Sequence, residues 1–266
     1  MHALELSLTP LLTPGAKARP AGANSWRLVI PPGPAGQYRV AQLDDYGKLR
    51  REEFPHTPPV SLSLRARASS PEIPGTWGFG LWNNPFSMAV LTGVEILRLP
   101  ALPNAAWFFF ASPPNYLSLR DDLPGRGGLA ATFCSPRWPP ALLALSAPVL
   151  PLLFWPPAAR LLRRRARRFV RQAGVDMGLD PTHWHHYRLA WHPESVVFSV
   201  DGSTILETGL VPAGPLGLVL WVDNQYAALP PGGRLYFGSL PNEAEAWIEL
   251  EDVRLEAGRS WVNAFS

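Results

Sequence analysis

The fold is decided by residues 185–209, HHYRLAWHPESVVFSVDGSTILETG. Two runs within this stretch, HHYRLAWH (185–192) and SVVFSVDG (195–202), are rich in aromatic and β-branched residues and are separated by a proline. Such runs, bounded by turn residues, are typical of strands, and Asp201-Gly202 is a common hairpin turn. The stretch therefore predicts antiparallel strands with short connections.

Similar runs recur along the chain, and alternation between apolar and polar residues is clear in VSLSLRARA and WIELEDVRLE. A period of two places alternate side chains on opposite faces of a strand. The other predicted strands are 25–30, 59–69, 94–99, 104–111, 116–120, 216–224, 234–240 and 246–256. Many short strands at this spacing predict an all-β sandwich or jelly roll of two antiparallel sheets.

Composition supports one folded domain over 1–266, because sandwiches of this length are ordinary. The chain has 31 prolines and 22 glycines, but its 11 tryptophans and 12 phenylalanines require burial, so these residues indicate turns rather than disorder. Cys134 is the only cysteine, which excludes an intrachain disulfide. Glu5 stands where a signal peptide has a basic residue, so we expect a cytoplasmic or peripheral-membrane protein rather than a secreted one.

The stretch 185–209 resembles the penultimate strand pair of the concanavalin A-like lectin/glucanase sandwich. It is most similar to glycoside hydrolase family 16, in which a strand with spaced His, Tyr and Trp precedes a hairpin ending in VDG. Upstream, SLRARASSPEIPGTWGFGLWNN (63–84) resembles that family's strand of alternating arginines and the Gly/Trp-rich strand after it. The matching residues in the first stretch are His186, Tyr187, Trp191, Pro193, Phe198, Val200, Asp201 and Gly202.

The resemblance implies two curved antiparallel sheets with ligands bound on the concave face. Family 16 enzymes carry a Glu-x-Asp-x-x-Glu strand soon after the Gly/Trp strand, but residues 104–115 read NAAWFFFASPPN, without a carboxylate. Retaining hydrolysis needs two carboxyls about 5 Å apart. Asp121 and Asp122 follow, but adjacent residues on a strand point to opposite faces. We therefore expect no ordinary retaining glycosidase activity, and leave open whether the protein is an enzyme.

The aromatic residues that replace the carboxylates are themselves a signal. If residues 104–111 line the concave groove, either Trp107 and Phe109 or Phe108 and Phe110 point into it. Such a groove suits an apolar or flat ligand, or the faces of sugar rings; the alternative is that these side chains fill the core. The predicted ligand-binding residues are Trp77, Trp82, Asn83, Trp107, Phe109, Tyr116, Arg120, Trp221, Asp223, Asn224 and Tyr226.

Few residues offer acid or base chemistry. Asp121, Asp223 and His186 are the candidates, and a turn at the end of the strand 216–224 is an equal explanation for Asp223. THWHHYR (182–188) contains three histidines, but neither a cysteine nor a His-Glu-x-x-His spacing accompanies them, so no metal site is expected. No phosphate-binding or dinucleotide-binding motif occurs, so no cofactor is expected.

Residues 137–178 interrupt the strand pattern and predict a helical insertion. An uncharged run (139–159) precedes PAARLLRRRARRFVRQ (157–172), where arginines recur at the spacing of one helix face. Prolines interrupt the uncharged run, so a straight transmembrane helix is not expected. From 123 to 175 there are nine arginines and no Asp or Glu, so the rest of this +3 chain carries about −6 (3 − 9).

The basic helix has three interpretations. A basic amphipathic helix behind an apolar run is typical of attachment to an anionic membrane surface. The alternatives are a helix packed over the sandwich with solvated arginines, and a nucleic-acid-binding helix, which nothing else in the sequence favours. The predicted membrane-contact residues are Leu152, Leu153, Phe154, Trp155, Arg160, Arg164, Arg167, Arg168 and Arg171.

The leading functional hypothesis is a family-16-like sandwich protein without the hydrolytic carboxylates. It binds an apolar or amphiphilic ligand in an aromatic groove, associates with a membrane through its insertion, and performs non-hydrolytic chemistry if it performs any. The alternative is a carbohydrate-binding module or a divergent glycoside hydrolase whose ligand is a glycan. The polarity of the groove discriminates the two, because sugar sites surround each aromatic ring with carboxylates and amides.

Overall fold

The structure, a computed structural model, describes residues 2–85, 98–123, 125–145 and 147–258. Within these ranges, two large antiparallel sheets of eight and seven strands pack face to face, and two further strands form a separate hairpin. The all-β sandwich of two antiparallel sheets predicted from the sequence is thereby confirmed.

The eight-stranded sheet has the order β13-β12-β11-β6-β17-β4-β3, and β1 also pairs with β17. Its strands are β1 (His2–Ala3), β3 (Lys17–Gly22), β4 (Ser25–Ile30), β6 (Val60–Ala68), β11 (His185–Trp191), β12 (Val196–Val200), β13 (Ser203–Thr208) and β17 (Ala246–Ala257).

The seven-stranded sheet has the order β10-β9-β8-β7-β14-β5-β2. Its strands are β2 (Thr9–Leu12), β5 (Val40–Asp44), β7 (Thr76–Trp82), β8 (Ala105–Ala111), β9 (Gly127–Cys134), β10 (Arg171–Asp176) and β14 (Gly217–Asp223). The separate hairpin consists of β15 (Gln225–Ala228) and β16 (Tyr236–Ser239). The helices are α1 (Pro140–Ala144), α2 (Pro156–Phe169) and the 3-10 helices Arg51–Glu53 and Ala147–Phe154.

Alternation along the strands sends one set of side chains into the core between the sheets. Phe108 and Phe110 of β8 point inward, where Phe108 contacts Phe198 of β12 with ring centroids 5.3 Å apart. Trp77 of β7 stacks on Phe110 at 3.8 Å, and Tyr187 of β11 meets both phenylalanines edge to face. Full burial of side chains of this size contributes roughly 1.5–3 kcal/mol each, so these rings hold the two sheets together.

The side chains of β6 and β17 that point away from the core form a charged outer face. Arg65 lies opposite Glu251 and Arg67 opposite Glu249, with N···O distances of 2.9 and 2.7 Å. Cross-strand pairs of opposite charge stabilise this register. The alternation seen in VSLSLRARA thus separates core leucines from these surface ion pairs.

Three sequence expectations need correction or qualification. Residues 116–120 form only an isolated bridge between Tyr116 and Ala228: Gln172 accepts a hydrogen bond from the Leu119 N–H, and Arg163 donates to the Ser118 carbonyl, so side chains replace the ladder at these two residues. The strand predicted at 94–99 falls on residues 94–97, which lie outside the described residues. The insertion occupies 135–170 rather than 137–178, because β10 pairs with β9 as an edge strand.

Candidate functional site

The predicted groove lies on the outer face of the seven-stranded sheet. Trp107 and Phe109 of β8, Trp82 of β7, and Trp221 and Asp223 of β14 share this face, since their neighbours of opposite parity point into the core. Of the two alternatives for β8, the structure therefore places Trp107 and Phe109 in the groove.

The glycines of β7 make room for these rings. A Cβ at Gly78 would lie 2.8 Å from Cη2 of Trp221, and one at Gly80 would lie 2.5 Å from Cβ of Trp107. The β8 carbonyl oxygens of Phe108 and Ala106 lie closer still, at 2.3 and 2.4 Å from these two Cβ positions, so glycine is needed both for the approach of the β8 backbone and for the indoles that lie over β7. In TWGFGLW, large side chains therefore cover the core face of the strand, and the middle of the groove face consists of glycine alone.

The rings form a continuous aromatic cluster. The centroid of Trp107 lies 5.8 Å from Trp82, 5.8 Å from Trp221 and 5.7 Å from Phe109, and Trp82 and Trp221 are parallel at 6.5 Å. Phe109 and Trp221 are buried by their neighbours, whereas Trp82 and Trp107 are half-buried. Stacked and tilted pairs of this kind stabilise one another by about 0.5–1.5 kcal/mol beyond burial.

Two of the three indole N–H groups are satisfied inside the protein. Trp82 donates to the Tyr46 hydroxyl at 2.6 Å, and Trp221 donates to the Thr76 hydroxyl at 3.0 Å. Because these polar atoms are already paired, the indoles present mainly carbon to the groove.

One end of the groove is polar and is centred on Asp223. Oδ1 of this carboxyl accepts hydrogen bonds from the Thr76 hydroxyl at 2.7 Å and the Gln225 N–H at 3.2 Å, and Oδ2 accepts one from the Tyr38 hydroxyl at 3.4 Å. Burial outweighs these bonds and raises the pKa of Asp223 to about 7. Burial and the nearby carboxylate also raise the pKa of Tyr38 well above its ordinary value. Asp223 can therefore donate or accept a proton near neutral pH.

The cluster and its polar end enclose a cavity of about 200 Å³. Polar groups occupy one part of the wall and ring carbons the remainder, as in sites that hold the body of an apolar ligand and orient its polar group. The cavity is lined by Tyr38, Gln42, Thr76, Trp82, Trp107, Phe109, Asn115, Leu117, Trp221, Asp223, Gln225 and Ala227.

Of the predicted ligand-binding residues, the structure brings Trp82, Trp107, Phe109, Trp221 and Asp223 together. The expectation for Trp77 is wrong, because its parity in β7 points it into the core, where it is 2% exposed.

Two predicted asparagines serve the backbone instead. Asn224 is fully buried, accepts from the Arg39 N–H and donates to the carbonyls of Gln37 and Leu240. Asn83 donates to the Leu102 carbonyl and is also outside the groove. Their amides are already occupied, so neither is positioned to bind the ligand.

Three other predicted groove residues face elsewhere. Tyr226 packs over Gly238 of β16, and its neighbours on β15 face the groove in its place. Tyr116 donates its hydroxyl to the Arg120 carbonyl, and Arg120 pairs with Asp122. These contacts shape the loop that follows β8.

The other acid–base candidates lie away from the groove. Asp121 pairs with Arg163 and Arg167 of α2, at 2.7 and 2.5 Å, and the Arg163 hydrogen bond is the largest cause that lowers the pKa of Asp121. His186 is exposed on β11, in the other sheet. Only Asp223 of the three candidates reaches the cavity.

The groove residues absent from the predicted set come from β5 and the residues just before it, from the loop after β8, from Thr76 of β7, and from Gln225 and Ala227 of β15. Tyr38 and Gln42 share one parity along YRVAQLD (38–44), and this alternation was the available signal for β5. Asn115 and Leu117 lie in the loop after β8, and only Leu117 belongs to the predicted strand 116–120; the course of this loop over the groove carries no periodic signal.

No cluster of three or more His, Cys, Asp or Glu side chains suited to a metal occurs among the described residues. His183 and His185 instead pair with Asp180 and Asp201. None of the helices among the described residues has both the length and the apolar character needed to cross a membrane.

The chain matches no family model and no curated protein. Solved structures with similar folds include a Bacillus licheniformis β-glucanase (10% identity, TM-score 0.44, 91% of this chain and 82% of that one). A legume lectin-like domain from Entamoeba histolytica shows 8% identity and a TM-score of 0.46 over 95% of this chain and 90% of its own. A β-1,3-glucanase from Mycobacterium marinum shows 12% identity and a TM-score of 0.43 over 88% and 78%. The similarity is one of fold.

Proposed function

We propose that the protein binds an apolar or amphiphilic ligand in the aromatic groove of its seven-stranded sheet. The observation that carries this proposal is the cluster of Trp82, Trp107 and Trp221, whose faces meet the cavity while two of the indole N–H groups are paired within the protein. A surface of ring carbon is desolvated readily by an apolar partner, whereas a sugar needs polar groups around each ring.

The ligand is expected to lie with its polar group at Asp223 and its apolar body over Trp82 and Trp107. A buried carboxyl with a pKa of about 7 is neutral in much of the population at pH 7, so it can donate a hydrogen bond to a ligand oxygen. An anionic group would meet a partly charged carboxyl without a cationic partner among the lining residues. Uncharged polar groups, such as hydroxyls and carbonyls, are therefore favoured.

Retaining glycoside hydrolysis does not fit this geometry. The lining of the groove contains one carboxyl, Asp223, and the nearest carboxyl on the adjoining strand is Asp44 of β5. Asp223 pairs with Val40 and Asp44 pairs with Val219, so the two acids are four residues apart along the strands, or about 13 Å at 3.3 Å per residue. Retaining enzymes hold their carboxyls about 5–5.5 Å apart. Among the described residues that line the groove, Asp223 is the group suited to proton transfer.

The second candidate function is glycan binding. Gln42, Asn115 and Gln225 place three amide groups around the cavity, and amides beside aromatic rings are the usual partners of sugar hydroxyls. A carbohydrate-binding module with this groove, or a divergent glycosidase, would stack a sugar ring on Trp107 or Trp82.

Binding of N-phenyl-1-naphthylamine, an uncharged fluorescent probe, tests the first function. We expect saturable binding that Ala227→Trp weakens at least tenfold, about 1.4 kcal/mol, because the added indole fills the cavity. Trp107→Ser should weaken binding as well. Trp155→Ser, which removes an exposed ring from the insertion, is the matched control and should leave the affinity unchanged.

Titration calorimetry with laminarihexaose distinguishes the alternative. If this β-1,3-linked oligosaccharide binds wild type, fails to bind Ala227→Trp, and the naphthylamine does not bind, the groove is a glycan site. If the naphthylamine binds wild type and Ala227→Trp equally, the proposed groove is not where apolar ligands are held.

A further inference from the structure

The insertion, residues 135–170, leaves an unusual number of large apolar side chains in solvent. Among the described residues, ten of the sixteen exposed large hydrophobic side chains belong to it, with Leu145 75% and Trp155 60% exposed. Single exposed leucines are ordinary, but a contiguous apolar patch on a soluble surface marks an interaction site. The ten are Trp138, Leu142, Leu145, Val149, Leu150, Leu152, Phe154, Trp155, Leu161 and Phe169.

These side chains are exposed because α2 turns a different face to the protein body. Ala159 and Arg163 are the buried residues of this helix, and Arg163 donates to the Ser118 carbonyl and to Asp121 while lying over the Tyr116 ring. The alternative of a helix packed over the sandwich with solvated arginines therefore does not hold for Arg163. Buried Arg163 anchors the helix, which leaves Leu161 and Phe169 outside.

The apolar surface continues onto the β15–β16 hairpin. The Leu235 N–H donates to the Leu153 carbonyl at 2.8 Å, and the rings of Phe154 and Phe237 lie 6.1 Å apart. Phe237 is 59% exposed. On the other strand of the same hairpin, Gln225 and Ala227 line the groove. The hairpin thus connects the apolar surface directly to the ligand cavity.

Positive charge accompanies the apolar surface. Arg160, Arg164, Arg165 and Arg168 are exposed along α2, and there is no Asp or Glu from 123 to 175 to balance them. Arg167 is partly neutralised by Asp121. Apolar side chains flanked by several exposed arginines match the two layers of an anionic bilayer surface, acyl chains below and phosphate groups above.

We propose that residues 138–145 and 147–169, together with Tyr236 and Phe237, dock onto an anionic lipid bilayer and lie in its interfacial plane. Docking turns the hairpin that lines the groove toward the membrane, so an amphiphile leaving the bilayer has a short apolar path to Trp107. Nucleic acid fits this surface less well, since phosphates attract the arginines but leave the exposed leucines in water. The inference rests on the proposed function only for the identity of the amphiphile that the groove binds.

Vesicle co-sedimentation tests the docking. Phosphatidylcholine vesicles with 30% phosphatidylserine should bind the protein at 50 mM NaCl, and raising the salt to 500 mM or omitting phosphatidylserine should weaken binding at least tenfold. Leu150→Glu combined with Trp155→Glu should abolish binding, since both side chains are exposed and belong to the patch. Arg164→Glu combined with Arg168→Glu should weaken it at low salt.

Leu12→Glu and Arg19→Glu are the matched controls, because both residues are exposed outside the patch. They should bind vesicles like wild type. Binding of a 20-base-pair DNA duplex without vesicle binding, or a dimer lost in Leu150→Glu/Trp155→Glu without vesicle binding, would overturn the proposal in favour of another partner. Equal binding by wild type and this double variant would also refute it. Naphthylamine binding measured without vesicles keeps the groove and the docking surface separate, since either result stands without the other.

Discussion

Replacing Asp223 with asparagine should make the free energy of unfolding less dependent on pH. The pKa of this carboxyl rises from an ordinary value of 3.8 to about 7 on folding, because the side chain is buried beside Trp221 and Thr76. The folded state therefore holds the proton over a range in which the unfolded state has lost it. For a group with a raised pKa of this kind, stability falls as pH rises from about 4 to about 7 and is constant above.

The magnitude follows from the shift. About three pKa units at about 1.36 kcal/mol each give a total loss of roughly 4 kcal/mol, of which roughly 2–3 kcal/mol falls between pH 5 and pH 8. Asparagine retains an oxygen for the Thr76 hydroxyl and the Gln225 N–H, and its amide nitrogen faces the Tyr38 hydroxyl. The substitution thus removes the ionisation while keeping most of the hydrogen bonds.

Urea denaturation at pH 5, 6, 7 and 8 measures this effect. The difference in unfolding free energy, Asp223→Asn minus wild type, should increase by roughly 2–3 kcal/mol from pH 5 to pH 8, because contributions from the groups common to both proteins cancel. Asp122→Asn is the control: the hydrogen bond from Arg120 lowers the pKa of this exposed carboxyl to about 2, so the difference for this variant should not change above pH 5. A difference for Asp223→Asn that stays constant within about 0.5 kcal/mol would refute the argument that burial dominates at this site.

Gly80→Ala should lower the free energy of unfolding by about 1–3 kcal/mol or more in thermal and urea melts, because the new Cβ would lie 2.5 Å from Cβ of Trp107. The folded fraction of this variant should also bind naphthylamine more weakly. An unchanged free energy of unfolding would show that β7 can shift to accommodate the added methyl group without cost. Arg163→Met should cost about 1–3 kcal/mol in urea denaturation, since the buried Ser118 carbonyl loses its donor and Asp121 keeps only Arg167. Arg165→Met, on the exposed side of the same helix, should stay within about 0.5 kcal/mol, and equal losses in the two variants would contradict the anchoring role of Arg163.

The strands that build the core could be predicted because burial imposes a period of two on their sequence. VSLSLRARA and AWIELEDVRLE both became strands, and the hairpin at Asp201-Gly202 forms with positive φ at both residues. β5 carries only the short alternation of YRVAQLD (38–44), and β9 is not predicted because GGLAATFC is mostly buried. A run that is buried on both faces carries no periodic signal.

Parity decided which of the aromatic candidates reach the groove. Alternation restricted β8 to two choices, but it could not say which face was outward, since both faces of AAWFFFA are apolar. Trp77 and Trp82 belong to the same short strand and point to opposite sides of the sheet. The assignment depended on β7 pairing with both β8 and β14, a contact between distant parts of the chain.

The sequence by itself determined the two-sheet architecture, the aromatic character of the site, and the presence of a basic helix behind an apolar run. These properties depend on local periodicity and composition, which can be read from residues that are close together in the sequence. Only the tertiary structure decided that Asp223 is buried next to Tyr38, that Arg163 faces inward, and that the β15–β16 hairpin joins the groove to the apolar surface. The physical reason is that burial and pKa depend on which distant strands and loops pack together, and side-chain pairing across 42 residues, as between Asp121 and Arg163, leaves no periodic trace in the sequence.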